Sequence, residues 1–161
     1  MYVFIASFGA LAGGYISDKY EDDQAKIKSW IAAGSSAISL PFIVTCLTVQ
    51  DNFWFSYGMM CCHYLISESW LSPSITMLQN TTSVKNQGFA VSVFTFATTV
   101  GGLVGTSALG YAQDYFKVTE NIDQYGYTLA GALIFAYLTS IPLFLKAGDN
   151  YKEFKERNPN T

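Results

Sequence analysis

The chain has 161 residues, half of them hydrophobic, only 13% charged, and a net charge of −3. A soluble domain of this size carries about 25% charged residues, so the deficit argues for a membrane protein. Its nine cations form no basic patch interleaved with aromatics, which argues against nucleic acid as a partner.

Long apolar stretches separated by short polar segments predict an all-α fold, a multi-span transmembrane helical bundle. Five spans are expected at about 1–16, 29–49, 53–78, 87–112 and 125–145. Together they make a membrane domain over 1–146, followed by a charged tail over 147–161. In the first span Ala6, Ala10 and Gly14 recur every four residues, as do Gly9 and Gly13. That spacing lets two helix backbones approach closely in lipid. Its length makes only about 24 Å of helix against a hydrocarbon core of about 30 Å. It lacks the basic flank and cleavage site of a signal peptide. The expectation is a span whose beginning is missing, and so a fragment of a longer chain.

The second span enters at Trp30, an interfacial residue type, and carries Pro41 in its middle, where a kink is expected. The third runs over 53–78, with Pro73 breaking the bond to the Ser69 carbonyl. In the fourth, Ala97, Gly101 and Gly105 form one small-residue stripe, and Thr98, Gly102, Thr106 and Gly110 the next. Tight packing against other helices is expected at Gly101 and Gly105. The fifth has Pro142 near its end, and the tail has at most an interfacial turn through Tyr151 and Phe154.

Loops alternate sides of the membrane, and the cations sort with them. Lys19, Lys26, Lys28, Lys85, Lys146, Lys152, Lys155 and Arg157 fall on one side, and Lys117 alone on the other. The positive-inside rule then makes the tail cytoplasmic. The sequon Asn80-Thr81-Thr82 falls on the same side and is expected to stay unmodified.

The third span holds Glu68 and the single histidine of the chain, His63. A charge at bilayer depth costs roughly 3 kcal/mol on insertion scales, so it usually faces a polar interior. On a regular helix Cys61, Tyr64, Glu68, Ser72 and Ile75 share one stripe, and His63, Ser67, Trp70 and Ser74 share another. His63 and Glu68 therefore do not face each other unless the helix is distorted. Glu68 either binds a cation, a proton or a substrate amine or hydroxyl, or is a structural carboxylate bonded to a neighbouring helix. His63, Tyr64 and Trp70 complete the candidate binding set. Cys46, Cys61 and Cys62 have no metal-ligand spacing, and Gly101-Gly-Leu-Val-Gly105 lacks the Lys-Ser/Thr of a phosphate loop. With no catalytic motif present, no enzyme activity, cofactor or metal is expected.

Two stretches resemble the major facilitator superfamily of secondary transporters. Gly14-Tyr-Ile-Ser-Asp18-Lys19 resembles the family's loop signature Gly-x-x-x-Asp-Arg/Lys, although Glu21, Asp22 and Asp23 stand where the family has glycine and basic residues. Glu68-Ser-Trp-Leu-Ser-Pro73, then Gln87-Gly-Phe-Ala90, then a small-residue helix ending Gly110-Tyr-Ala-Gln-Asp114, is similar to the tenth and eleventh helices of such transporters. The spinster-like carriers are the branch it most resembles. The resemblance implies helices eight to twelve of a twelve-helix fold, with Gly14, Asp18 and Lys19 as a cytoplasmic gate motif. The helix carrying Glu68 and His63 would line the central cavity. It implies alternating access, a small-molecule or lipid-like substrate, the bilayer as environment, and the missing N-terminal helices as partners. The rival reading is a structural or assembly subunit of a membrane complex, complete at 161 residues.

Overall fold

The computed structural model describes residues 2–21, 26–49, 52–115 and 122–158. They form α1 (Tyr2–Lys19), α2 (Ile27–Thr48), α3 (Phe53–Ser67), α4 (Leu71–Asn80), α5 (Gln87–Tyr115) and α6 (Ile122–Arg157). One 3₁₀ turn, Glu68–Trp70, joins α3 to α4, and a second, Val84–Asn86, leads into α5. The described chain is an all-α bundle. Its helices at Ile27–Thr48, Val84–Tyr115 and Gln124–Arg157 are long and apolar enough to cross a membrane.

The expected third span is therefore two helices with a break at Glu68. Pro73 supplies the reason. It has no N–H for the Ser69 carbonyl, and its ring crowds that oxygen, so the turn before it tightens. The freed carbonyl faces α1, where a Cβ added at Gly13 would overlap it. Side chains at Gly9 and Gly14 would likewise overlap the Leu65 carbonyl and the Ser72 hydroxyl. The Ser69 hydroxyl donates to the Gly9 carbonyl at 3.0 Å. The glycine spacing of α1 is thus the seat of α3 and α4.

α2 is the central helix and packs against both α3 and α6. It buries Ala32, Ala33, Ser35, Ser36, Ser39 and Ile43. The serine hydroxyls donate to their own helix, Ser35 and Ser36 to the Ala32 carbonyl and Ser39 to the Ser36 carbonyl, each at 3.0–3.1 Å. Satisfied in this way, a serine stripe behaves as a small-residue surface that lets α6 come close. Gly148 of α6 abuts Ser29 with no room for a side chain. At the start of α3, the Asn52 side chain caps the Trp54 and Phe55 amides at 3.1 and 3.3 Å. The rest of the expected turn, residues 50 and 51, lies outside the described residues, as do residues 22–25 and the segment containing Lys117.

Two expectations change. The tail does not leave the fifth span at residue 146. α6 continues unbroken to Arg157, and at 36 residues it is roughly 54 Å long, well beyond a hydrocarbon core. Its last turns are good helix formers carrying the i,i+4 pairs Lys152–Glu156 and Glu153–Arg157. The second change concerns α5. It is exposed along nearly its whole length, and a Cβ added at Gly101 or Gly105 meets nothing within 4 Å. The close approach expected there is not made by the described part of this chain. The approaches that are made involve Gly9, Gly13, Gly14 and Gly148.

Candidate functional site

The polar cluster in the middle of the bundle is built on the α3–α4 break. His63 is buried, and its Nδ1 lies 3.2 Å from the Ser39 carbonyl of α2. A carbonyl can only accept, so Nδ1 carries the proton and Nε2 presents a lone pair. That lone pair faces the Tyr137 hydroxyl of α6 at 3.5 Å. The His63 ring meets Tyr64 and Tyr137 edge-on, with centroids 5.5 and 6.1 Å apart.

A side chain of another helix thus meets His63, five residues before Glu68. Glu68 is half-buried and stands in the 3₁₀ turn, where the backbone has left the regular helical register. Tyr64 is half-buried beside His63. Trp70 packs against Phe94 and Phe144, with centroids 6.3 and 5.8 Å away, and forms one wall of a cavity of about 320 Å³. Ser36, Tyr137 and Ser140 also line that cavity. Tyr137 therefore belongs both to the cavity wall and to the His63 cluster. Sequence reasoning missed it. Its one signal was a tyrosine and a serine three residues apart, Tyr137 and Ser140, inside an otherwise apolar run.

The second cluster closes the end of the bundle where α1 stops and α2 begins. Its hub is Glu21. Lys28 is fully buried, with Nζ 2.6 Å from Glu21 Oε2 and 3.4 Å from Asp18 Oδ1. The other Glu21 oxygen accepts from the Tyr151 hydroxyl at 2.5 Å and from Lys155 Nζ at 3.1 Å. Asn80 Nδ2 donates to the Tyr151 hydroxyl at 2.8 Å, which ties in the end of α4. Lys26 pairs with Asp149. Burial alone would raise the Glu21 carboxyl, but hydrogen bonds from Lys28, Tyr151 and Lys155 outweigh it and hold the group at about 2.

Of the three residues of the expected gate motif, Gly14 gives the close contact with Ser72 and Asp18 reaches Lys28. Lys19 is exposed, with its ammonium over the Tyr20 ring at 5.6 Å. The cation that reaches Asp18 is Lys28, which lies outside the motif. Glu21, which departs from the family signature, holds the cluster together. Among the described residues, no group of three or more His, Cys, Asp or Glu side chains could hold a metal ion.

The chain is similar to an MFS-type efflux pump of Mycolicibacterium smegmatis (strain ATCC 700084 / mc(2)155), 26% identical over 110 residues. The match covers 68% of this chain and a quarter of the pump's length. No protein-family model matches the chain. No solved structure matches it either. The spanning helices and this likeness make the chain an integral membrane protein.

Proposed function

We propose that this chain is the C-terminal part of a secondary transporter that moves a small or lipid-like solute by alternating access. On this reading the five apolar segments are helices eight to twelve of a major-facilitator-type fold, and the other helices of the full protein cover the open face of α5. The observation that carries the proposal is the meeting of buried His63 with Tyr137 near the helix break that holds Glu68, beside a cavity walled by Trp70. Interrupted helices that place an ionisable residue beside a cavity are how transporters build midplane sites. The likeness to an efflux pump supports the same class. Glu68 is the coupling or binding carboxylate, and His63, Tyr64 and Trp70 surround it. On this reading the end of the bundle held by Glu21 is the cytoplasmic one. The chemistry is transport and not catalysis.

The test is Glu68→Gln in the full-length protein, reconstituted in proteoliposomes. Gradient-driven flux is expected to fall to background while membrane insertion is unchanged. Flux equal to wild type would remove the role from Glu68. A native protein of only five spans, active within a larger complex, would favour the assembly-subunit reading instead.

A further inference from the structure

We infer that the cavity beside Trp70 takes an uncharged solute with an apolar body and hydrogen-bond donor groups, and that Tyr137 is the residue that reads it. The inference rests on the transporter reading and supplies its substrate class. The volume, about 320 Å³, lies at the small end of the range that holds small-molecule ligands, roughly 300–1,000 Å³. Trp70, Leu133 and Phe144 make the walls apolar and aromatic. Among the described residues that line it, none is charged.

The polar groups of the wall have a sign. Ser36 Oγ donates to the Ala32 carbonyl at 3.0 Å, and Ser140 Oγ donates to the Tyr137 carbonyl at 2.9 Å. The Tyr137 hydroxyl faces the lone pair of His63 Nε2, which draws its proton away from the cavity. With those protons engaged, the three oxygens are left as acceptors. The wall therefore reads donors, such as a solute O–H or amide N–H. An anion finds no donor there. A cation would leave water for a cavity with no carboxylate in its lining, and attraction to aromatic faces is too weak to offset that loss. Glu68 is not among the residues that line the cavity. Because Tyr137 both lines the cavity and meets His63, occupancy of the cavity is felt at His63.

The experiment is equilibrium dialysis of the purified full-length protein with two radiolabelled probes of similar size. Chloramphenicol is neutral and carries two hydroxyls and an amide N–H. Tetraphenylphosphonium is a lipophilic cation. Saturable binding of chloramphenicol is expected, weakened about three- to tenfold by Tyr137→Phe, as for the loss of one hydrogen bond. Ser140→Ala should weaken it by a similar factor, and Trp70→Ala by more, with melting temperatures near wild type. Tetraphenylphosphonium should not saturate. Saturable cation binding that Glu68→Gln abolishes would overturn the inference. So would chloramphenicol binding indifferent to both Tyr137→Phe and Trp70→Ala, or saturable binding of neither probe. Probe binding with these dependences but no gradient-driven flux would refute the transporter reading and leave the cavity assignment standing. Glu68-dependent flux with no probe binding would do the reverse.

Discussion

Glu21→Ala should be among the most destabilising single changes in this chain. Its magnitude follows from the burial of Lys28, whose side chain has 0% exposure and whose nearest partner is Glu21 Oε2 at 2.6 Å. Removing one member of a buried ion pair typically costs about 3–5 kcal/mol, because the other charge is stranded. Asp18 remains 3.4 Å away and takes up part of that charge, and Lys155 can turn to solvent. The cost should therefore lie near the lower end, about 3 kcal/mol. The pH dependence gives an independent measure. Glu21 sits at about 2 when folded against an ordinary 4.5, so its contribution is complete above about pH 4.5 and is lost as pH falls through 2. The shift is worth at most about 3 kcal/mol, and nearer 1–2 kcal/mol after solvent screening of a partly accessible group. The assay is thermal unfolding of the purified full-length protein in detergent. The wild type should lose stability between pH 4.5 and 2, and Glu21→Gln should lose less over that window. The double variant Glu21→Ala with Lys28→Met should be more stable than the sum of the single effects by at least about 1 kcal/mol. A Glu21→Ala protein melting with the wild type, or strict additivity in the double variant, would refute the hub.

Gly13→Val should separate α1 from the Ser69 carbonyl and lower the melting temperature by the equivalent of about 3 kcal/mol or more, whereas Gly34→Ala, which meets nothing within 4 Å, should be neutral or stabilising by up to about 1 kcal/mol. The contrast fails if both behave alike in thermal unfolding. Pro73→Ala returns an N–H to the Ser69 carbonyl and relieves a penalty of about 3 kcal/mol in the helix interior. Stability should hold or rise, while flux in the full-length protein should fall at least tenfold as Glu68 returns to the regular helical register. Unchanged flux would mean that the 3₁₀ turn serves packing alone.

The helical architecture was legible because it rests on signals local in sequence, namely apolar runs, polar punctuation and the spacing of Gly9, Gly13 and Gly14. Glu68 and His63 stand out for the same reason, as ionisable groups within an apolar stretch. What meets His63 is not local. Tyr137 is 74 residues from His63, and an isolated tyrosine in an apolar helix carries no mark of its partner. The Glu21 hub is hidden more deeply, since Tyr151 and Lys155 reach it across 130 and 134 residues. Judged against the family signature, Glu21 looks like a defect of the motif. Its environment shows what the carboxylate does, which is to accept from Lys28, Tyr151 and Lys155. The small residues of α5 teach the converse. Their stripe is as regular as that of α1, yet Gly13 meets a backbone and Gly101 meets nothing among the described residues, because spacing says that a helix can be approached and not by what. The difference is made by Pro73, which frees a carbonyl opposite Gly13 and in the same turn takes Glu68 out of the regular helical register. One proline thus sets both the closest packing of α1 and the geometry of the polar cluster, and a change that straightened the helix would have to disturb both together.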